Sequence, residues 1–513
     1  MWHGHRSKYL IALVAGSLSA VGFAPLGIWP LTLLAIAWLI HVTAAVGRGR
    51  QQWSLGWLFG LGHFAVGLNW VAGAFQYQVS LPGWAGWIAV PILAAYLALF
   101  PATAFVVAGK IAPARGYSRI LLLAAGWILL EWLRGWLFTG FAWNPLGAIW
   151  IDVPPVALLA RAIGATGLSG LTIIFAGLLA RMIEARRSAL AITAIGLTAA
   201  VPFLWRFETA DASSRGPRVR VVQPHIGQSV KWRPELAGRN LQQQINLSGP
   251  AEAAGAPRMI FWPEAAVAGN IENDPALRQK PADMLGPRDL LLTGGTALLH
   301  DRQGNPAAAT NSMFVIDANG RVVARYDKAH LVPFGEYVPS FAEWLGFDRF
   351  VEGELEFASG PGPRSLDLPT LPAVGVSICY EISFPGRVLG AGKRPAFIFN
   401  PSNDAWFGTW GPPQHLSQAR LRAIEEGLPV IRSTPTGISA VIRKDGFVVA
   451  ALPRNQAGFI ETALPAAGEP TLYSRLGDAL PLGLAAILGL VSVGYARRPS
   501  RRASSSSPHD TIE

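Results

Sequence analysis

The sequence is poor in charged residues and in cysteine. Only 15% of its 513 residues are Asp, Glu, Lys or Arg, and it has a single cysteine. Soluble proteins carry about 25% charged residues, so this scarcity argues against an ordinary soluble enzyme and indicates a bilayer environment. The 51% apolar content excludes a disordered chain. One cysteine excludes a disulfide framework and any zinc site built from several cysteines.

The shortage of charge is concentrated in the first 205 residues. That stretch has twelve Lys or Arg and three Asp or Glu, and no charge lies between Arg50 and Lys110. Residues 206–496 have a more usual composition and no net charge, so the net charge of +11 comes from the first part and the tail after Ala496. The basic excess therefore predicts membrane orientation rather than a nucleic-acid surface.

Apolar segments of near 20 residues, the length that crosses a hydrocarbon core of about 30 Å, recur along the chain. They are Tyr9–Phe23, Trp29–Val46, Trp53–Phe75, Trp84–Ala108, Ile120–Phe138, Val156–Ala180, Ala189–Trp205 and Pro481–Ala496. We expect eight transmembrane helices. The first segment could instead be a cleaved signal peptide, but a second apolar segment follows it with almost no spacer.

The loops between these segments predict their orientation. Basic residues cluster at the N-terminus, around Arg48, Lys110 and Arg186, and in the C-terminal tail, and these loops alternate with loops poor in Lys and Arg. The positive-inside rule then places both termini in the cytoplasm and the globular part outside it. The expected organisation is a seven-span membrane domain (1–205), a linker (206–217), a catalytic domain (218–465), an eighth span (480–496) and a cytoplasmic tail (497–513).

Two features of the membrane part have more than one interpretation. Glu131 and Arg134 are three residues apart in one predicted span and can pair on one helix face. Intramembrane charges are functional candidates by default, although a buried structural pair is the plainer interpretation. The stretch Thr139–Pro155 is rich in Trp and Pro and has Asp152 as its one charged residue. It is either a loop at the outer interface that suits lipid entry or a simple connector.

Short β-rich runs alternate with helical stretches from Arg218 to Thr462, which predicts a layered α/β domain of roughly 250 residues. The clearest runs are Arg218–Val222, Met259–Trp262, Leu290–Thr293, Met313–Ile316, Val374–Ile378, Phe397–Phe399 and Val430–Arg432, with a hairpin over Ala440–Ala451 and a helix over His415–Glu426.

Polar residues stand where several of these strands end. Glu264 closes one run, Cys379 another and Asn403 a third, while Lys328 follows Tyr326-Asp327. Such strand ends collect reactive residues in α/β sheets. A carboxylate can remove the thiol proton and an ammonium can stabilise an oxyanion, so Glu264, Lys328 and Cys379 together suit acyl transfer. Taken singly, the cysteine could be a small buried apolar residue and the other two could be solvated.

Three motifs in order carry a resemblance to a known superfamily. Trp262-Pro-Glu264, Lys328-Ala-His-Leu-Val-Pro-Phe-Gly-Glu336 and Ile378-Cys-Tyr-Glu381 resemble the nitrilase superfamily with its Glu-Lys-Cys triad. The Leu-Val-Pro-Phe-Gly-Glu form, Ser402-Asn-Asp-Ala-Trp-Phe-Gly408 and the flanking spans resemble the bacterial apolipoprotein N-acyltransferases. The implied fold is an α-helical polytopic membrane domain of eight spans plus a nitrilase-like αββα sandwich.

The resemblance also implies an activity and its residues. A phospholipid, typically phosphatidylethanolamine, would donate an acyl chain to the amine of a diacylglyceryl-cysteine apolipoprotein, in the last step of lipoprotein maturation. Cys379 would be the nucleophile, Glu264 the general base and Lys328 the oxyanion stabiliser. The matched supporting positions are Glu336, Glu381, Tyr380 and Asn403, and the matched lipid-pocket aromatics are Trp232 and Trp406.

The implied setting is the bacterial inner membrane, with a periplasmic catalytic domain and membrane lipids around the spans. We expect no cofactor, no metal and no nucleic-acid partner, and a monomeric enzyme. His225, His330 and His415 lack zinc-ligand spacing, so we interpret them as structural.

Two other functions remain open on the residues alone. The first is a membrane-tethered nitrilase-type amidase that acts on small amides. The second is a transporter with a vestigial nitrilase-like domain, although the spans carry few polar residues that could line a path.

Overall fold

The computed structural model describes residues 3–47, 49–77, 82–112, 116–204, 216–251, 257–340, 344 and 355–496. The predicted cytoplasmic tail lies outside these residues, as does the predicted linker apart from Gly216 and Pro217. Arg48 and Arg115, two of the basic loop residues used to predict orientation, also lie outside them.

The regular secondary structure in the first part of the described chain is helical. Its helices are α1 (His3–Ser19), α2 (Trp29–Ala45), α3 (Arg50–Gly67), α4 (Val71–Ala74), α5 (Gly86–Leu97), α6 (Leu99–Ile111), α7 (Tyr117–Arg134), α8 (Pro154–Ala157), α9 (Ala160–Glu184) and α10 (Ser188–Leu204). Each predicted apolar segment of this part overlaps at least one of these helices. Two stretches, Gly83–Ile111 and Ala160–Glu184, are long and apolar enough to cross a membrane by length and composition.

Several predicted segments differ from single helices in ways that local chemistry explains. The segment Trp84–Ala108 consists of α5 and α6, which meet at Ala98. Pro101 lies two residues after the start of α6 and has no N–H to continue the hydrogen-bond ladder across the junction. The segment Ile120–Phe138 stops being helical at Arg134, where Gly135 caps α7.

Glycine permits a kink that links the helical part to the α/β part. Gly164 in α9 has φ of +68°, which interrupts the helix after its first turn. The interruption frees the N–H of Ala165, which donates to the carboxylate of Glu425 at 2.6 Å.

The second part of the described chain contains two six-stranded sheets. Their strands are β1 (Arg218–Gln223), β2 (Arg258–Phe261), β3 (Leu290–His300), β4 (Pro306–Ile316), β5 (Val322–Asp327), β6 (Ser365–Leu368), β7 (Leu371–Val376), β8 (Phe397–Pro401), β9 (Val430–Ser433), β10 (Ser439–Ile442), β11 (Val448–Leu452) and β12 (Gly458–Ala463). The first sheet has the order β12-β1-β2-β3-β4-β5 and the second β11-β10-β9-β8-β7-β6. β1, β2 and β3 run parallel, as do β7, β8 and β9.

The two sheets pack face to face, and helices cover their outer faces. The ring of Phe261 in the first sheet contacts that of Phe399 in the second, with centroids 4.9 Å apart. The remaining helices of this part are α11 (Gln228–Lys231), α12 (Pro234–Ser248), α13 (Pro275–Ala282), α14 (Gly411–Glu426) and α15 (Leu472–Leu476), and the chain described here ends in α16 (Ala479–Ala496). α12 packs on the first sheet through Leu241, and α14 packs on the second through Ala419 and Ala423. The predicted αββα sandwich is confirmed.

Helix α14 connects the sandwich to the helical part. Its Leu421 and Ile424 belong to the same buried apolar cluster as residues of α2 and α9. Arg420 adds an ion pair with Asp152 at 2.6 Å. The second sheet therefore faces the helical part, with α14 between them.

Candidate active site

Glu264 follows β2, and a hydrogen bond from β4 of the same sheet holds its side chain. Asn311 in β4 donates from Nδ2 to Oε1 of Glu264 at 2.7 Å. The Glu264 side chain is almost completely buried. Glu264, after β2, and Cys379, after β7, lie close enough for each to shift the pKa of the other.

Lys328 follows β5 directly. Its backbone N–H donates to the carbonyl of Asn311 at 2.8 Å, which continues the β4–β5 pairing past the last strand residue. Its Nζ lies 3.3 Å from Oε1 of Glu264 and 2.9 Å from Oε2 of Glu336. Lys328 is 1% exposed, so its ammonium depends on these two carboxylates for compensation.

Glu336 is itself fixed by hydrogen bonds. Its Oε2 accepts the N–H of Val332 at 2.8 Å, and its Oε1 accepts from Nδ2 of Asn311 at 2.8 Å. Asn311 therefore donates to both carboxylates that flank Lys328. This arrangement gives Glu336, which the sequence predicted as a supporting residue, a direct contact with the proposed oxyanion stabiliser.

Cys379 begins a short 3₁₀ turn, Cys379–Ser383, just after β7. Its φ is +51°, in the left-handed region that a non-glycine residue seldom adopts. The thiol is buried and hydrogen-bonds to the carboxylate of Glu264, and the backbone N–H of Asn403 donates to it. The structure therefore brings together Glu264, Lys328 and Cys379.

The charges of this site fix its resting protonation. Burial, together with the Glu264 carboxylate, raises the pKa of Cys379 well above its usual range, against the opposing effect of Lys328. Burial alone would raise the pKa of Glu264, but Lys328 and Asn311 lower it overall. Burial would lower the pKa of Lys328, but Glu336 and Glu264 raise it. At neutral pH the set is thus a neutral thiol, a carboxylate and an ammonium.

Glu381 lies behind the site and connects two loops. Its carboxylate accepts the N–H groups of Ala329 at 2.7 Å, His330 at 3.0 Å and Ile378 at 2.7 Å. The hydroxyl of Tyr326 donates to it as well, at 3.1 Å. Burial raises the pKa of Glu381 to about 7, although the backbone donors oppose this. The residue holds the loop after Lys328 against the turn that carries the cysteine.

Asn403 contributes in two ways. Its backbone N–H reaches the thiol of Cys379, as described above. Its side chain accepts the N–H of Ala405 at 3.4 Å and donates to Gln228 at 2.9 Å. The side chain therefore shapes the loop, and the backbone makes the contact with the nucleophile candidate.

The three aromatic candidates contact different elements. Tyr380 is buried, and its hydroxyl donates to the carbonyl of Gly140 at 3.3 Å. Trp406 packs edge-on against Tyr77 at 5.5 Å. Trp232 is half exposed, and the ammonium of Lys231 lies over its ring at 5.4 Å. Tyr380 thus joins the site to the loop after α7, while Trp406 contacts Tyr77 and Trp232 contacts Lys231.

Sequence reasoning missed Asn311 and Lys231. Nζ of Lys231 donates to the carbonyl of Glu264 at 2.9 Å, and burial lowers the Lys231 pKa to about 8. Lys231 and Glu264 also line a cavity of about 150 Å³ under α12. The polar run Thr310-Asn-Ser312 inside an otherwise apolar strand was an available signal for Asn311. Lys231 had no such signal, because the basic sequence Lys231-Trp-Arg233 is typical of a solvent-exposed turn.

The Glu131–Arg134 pair lies in the helical part. Nη2 of Arg134 is 3.9 Å from Oε2 of Glu131, which confirms the predicted pairing. Glu131 makes closer contacts with the N–H of Leu146 at 2.9 Å and the hydroxyl of Ser169 at 2.5 Å. Its carboxylate thus joins α7, α9 and the loop between them.

Both parts of the chain match known families. Residues 15–178 match the apolipoprotein N-acyltransferase N-terminal domain, and residues 218–469 match the carbon-nitrogen hydrolase family. The apolipoprotein N-acyltransferase of Bradyrhizobium diazoefficiens is 35% identical over 96% of this chain and 96% of its own length. That of Caulobacter vibrioides is 36% identical over 94% and 93%. A mutant of the Nesterenkonia AN1 amidase from the nitrilase superfamily aligns with 52% of this chain and 93% of its own, at 17% identity and a TM-score of 0.35. The chain belongs to the apolipoprotein N-acyltransferase family and is an acyltransferase.

Proposed function

We propose that this enzyme transfers an acyl chain from a phospholipid, with phosphatidylethanolamine as the expected donor, to the N-terminal amine of a diacylglyceryl-cysteine apolipoprotein. The observation that carries the proposal is the buried group of Cys379, Glu264 and Lys328, in which Nζ of Lys328 lies 3.3 Å from Oε1 of Glu264. Such a set can form and consume an acyl-enzyme without a metal or a nucleotide.

In the first half-reaction, Glu264 accepts the thiol proton as the sulfur of Cys379 attacks the ester carbonyl of the donor. The negative charge that develops on the carbonyl oxygen is stabilised by the ammonium of Lys328. The tetrahedral intermediate then expels the lysophospholipid alkoxide, which takes the proton from Glu264. A thioester remains on Cys379.

In the second half-reaction, the free amine of the acceptor attacks the thioester. Glu264 accepts a proton from the attacking nitrogen, and the thiolate leaves and is reprotonated. The products are an amide and the resting enzyme, so the kinetics are ping-pong. The burial of Cys379 keeps water from the thioester until the acceptor arrives.

We infer that the enzyme is a monomer in the bacterial inner membrane, with eight spans, cytoplasmic termini and a periplasmic catalytic domain. The proposed parts are residues 1–205, 218–465 and 480–496, joined by the linker 206–217 and followed by the tail 497–513. Support comes from outward-facing apolar side chains on the helices, such as Trp87, Ile192 and Leu490, each more than 60% exposed. A lipid environment would cover these side chains.

The position of the site supports a lipid substrate. Tyr380, next to the cysteine, bonds to Gly140, and Trp143 packs against His415 behind the cysteine turn. The stretch 139–155 thus lies between the site and the helical part, where a membrane lipid could approach. An amidase for small soluble amides would have no use for this arrangement.

The test is to incubate the purified enzyme with isotope-labelled phosphatidylethanolamine and to search for an acyl adduct on Cys379 by mass spectrometry. Cys379→Ala is the matched control. We expect an adduct on the wild-type enzyme only, released on addition of a diacylated lipopeptide with formation of the triacylated product. Absence of the adduct would exclude the lipid donor, and release of ammonia from small amides would favour the amidase instead.

A further inference from the structure

A fully buried cluster lies directly behind the candidate nucleophile. It consists of His415 on α14, Asp404 in the turn Asp404–Phe407 and Arg432 on β9, all 2% exposed or less. Arg432 pairs with both carboxylate oxygens of Asp404, at 2.6 and 2.7 Å. Burial alone would raise the pKa of Asp404, but Arg432 and His415 lower it to about 2. The Arg–Asp pair is therefore charged and compensated within the core.

The two ring nitrogens of His415 have different partners. Nδ1 lies 3.0 Å from a donor, Nη2 of Arg432, and 3.0 Å from an acceptor, Oδ1 of Asp404. Nε2 lies 3.0 Å from the carbonyl oxygen of Cys379, and because a carbonyl can only accept, this bond requires the proton on Nε2. Burial and Arg432 lower the pKa of His415, which agrees with a neutral ring. His415 thus donates from Nε2 to the backbone of the cysteine.

That carbonyl belongs to the residue with a left-handed backbone. Cys379 has φ of +51°, a conformation that a residue with a β-carbon seldom adopts. Asn400 supports the same carbonyl only at 3.5 Å, because its Nδ2 bonds to Ser377 at 2.6 Å. The bond from His415 is the shorter of these two side-chain contacts with the Cys379 carbonyl.

We propose that His415 is a positioning residue for the nucleophile. Its Nε2–H anchors the Cys379 carbonyl and so keeps the thiol directed towards Glu264 and the N–H of Asn403. Arg432 and Asp404 hold the other ring nitrogen, Nδ1, and so fix the orientation of the ring. The proposal rests on the proposed role of Cys379 as the acylated residue, and it adds the element that sets the direction of its thiol.

A merely structural role for His415 predicts different mutant behaviour. The ring packs against Trp143 and Phe407, each at a centroid distance of 5.2 Å. If packing alone mattered, His415→Phe would preserve function best. If the donor to Cys379 matters, His415→Gln would preserve it best, because the terminal amide nitrogen of Gln reaches the position of Nε2. His415→Asn reaches only the position of Nδ1.

The experiment measures the rate of acyl-adduct formation on Cys379 in the full-length enzyme with labelled phosphatidylethanolamine as the probe. Against the wild-type rate, we expect His415→Gln to be within about fivefold and His415→Phe and His415→Asn to lose about 100-fold, as misplacement of a reacting group by 1 Å can cause. The loss should fall on kcat, with KM for the donor unchanged, because the cluster lies behind the turn and not on the substrate side.

The possible results separate the two proposals. If the wild-type enzyme forms no adduct, the proposed function is excluded. A normal wild-type adduct with His415→Phe at the wild-type rate, or with His415→Gln as slow as His415→Phe, overturns the positioning role alone. If His415→Phe does not yield folded protein, the Gln and Asn variants decide, and equal rates for these two overturn the proposal.

Discussion

Nζ of Lys328 lies 3.3 Å from Oε1 of Glu264, and both side chains are almost completely buried. At this distance and in a poorly solvated site, the ammonium strongly favours the ionised carboxylate. The same ammonium lowers the free energy of a thiolate at Cys379, but burial and Glu264 outweigh that effect. Glu264 is therefore ionised and ready to act as a base, while the thiol of Cys379 stays protonated until a substrate arrives.

Glu264→Gln should prevent acylation of Cys379. The thiol pKa is raised by burial, so thiolate is scarce at neutral pH without a base, and loss of a general base costs about 100-fold or more. The measurement is the rate of adduct formation by mass spectrometry. Glu235→Gln, an exposed change of the same type on α12, is the control and should match the wild type. Equal rates for both variants would remove Glu264 as the base.

The pH dependence of acylation should show an acidic limb below the ordinary glutamate pKa of about 4.3. The pKa of Glu264 is lowered in the folded enzyme, against the effect of burial, by Lys328 and Asn311. The same shift affects stability. The ionised Glu264 stabilises the folded enzyme at pH values above the pKa of this residue in the unfolded chain, and this stabilisation is lost as the pH falls through its pKa in the folded enzyme. Rate–pH profiles of the wild type and Asn311→Ala check this, and the limb should move to higher pH in the variant. An unchanged limb would contradict it.

Much of the fold could be predicted from the sequence because its signals are local. The β1, β7 and β9 runs are apolar and end in polar residues, so Arg218, Val374 and Val430 lie in the observed strands. Three other strands, β5, β6 and β12, were not among the predicted runs. Each is an outer strand of a sheet with partly exposed residues, so its sequence lacks the apolar run of a central strand.

The site could be predicted as a set of residue types but not as a network. Cys379 and Glu264 are separated by over one hundred residues, and only ordered motifs connected them. Two of the long-range partners, Lys231 and His415, have no sequence signal that shows which residue they contact. Lys231 reaches the Glu264 carbonyl across 33 positions, and His415 reaches the Cys379 carbonyl across 36. A fully buried histidine and one that anchors a nucleophile look alike in a sequence.

Glu381→Gln should destabilise the enzyme. The carboxylate accepts from three backbone N–H groups and from Tyr326, whereas an amide offers one acceptor oxygen and turns a donor towards the same groups. Burying such mismatched groups costs at least about 2 kcal/mol. Thermal unfolding in detergent measures the loss. Tyr326→Phe removes a single donor and should cost less, so an equal or larger loss in that control would contradict the assignment.

Glu131→Gln separates the two interpretations of the intramembrane pair. The carboxylate bonds to Leu146 and Ser169 and lies 3.9 Å from Arg134. A structural role predicts a lower unfolding temperature with an unchanged adduct rate per folded molecule. Glu184→Gln, whose partners are half exposed, is the control and should have little effect. A large fall in adduct rate at unchanged stability would instead give the pair a direct role in the reaction.

The proposed membrane orientation can be tested by labelling single cysteines introduced into the chain. Because Cys379 is the sole cysteine, Cys379→Ser gives a background without thiols, into which single cysteines can be placed. Gln303→Cys lies in the exposed β3–β4 turn, and Ala185→Cys lies at the exposed end of α9. The positive-inside rule puts Ala185 in the cytoplasm because Arg181, Arg186 and Arg187 surround it. A membrane-impermeant maleimide should therefore label the Gln303 variant in intact spheroplasts and the Ala185 variant only after permeabilisation. The opposite pattern would reverse the topology and place the catalytic domain in the cytoplasm.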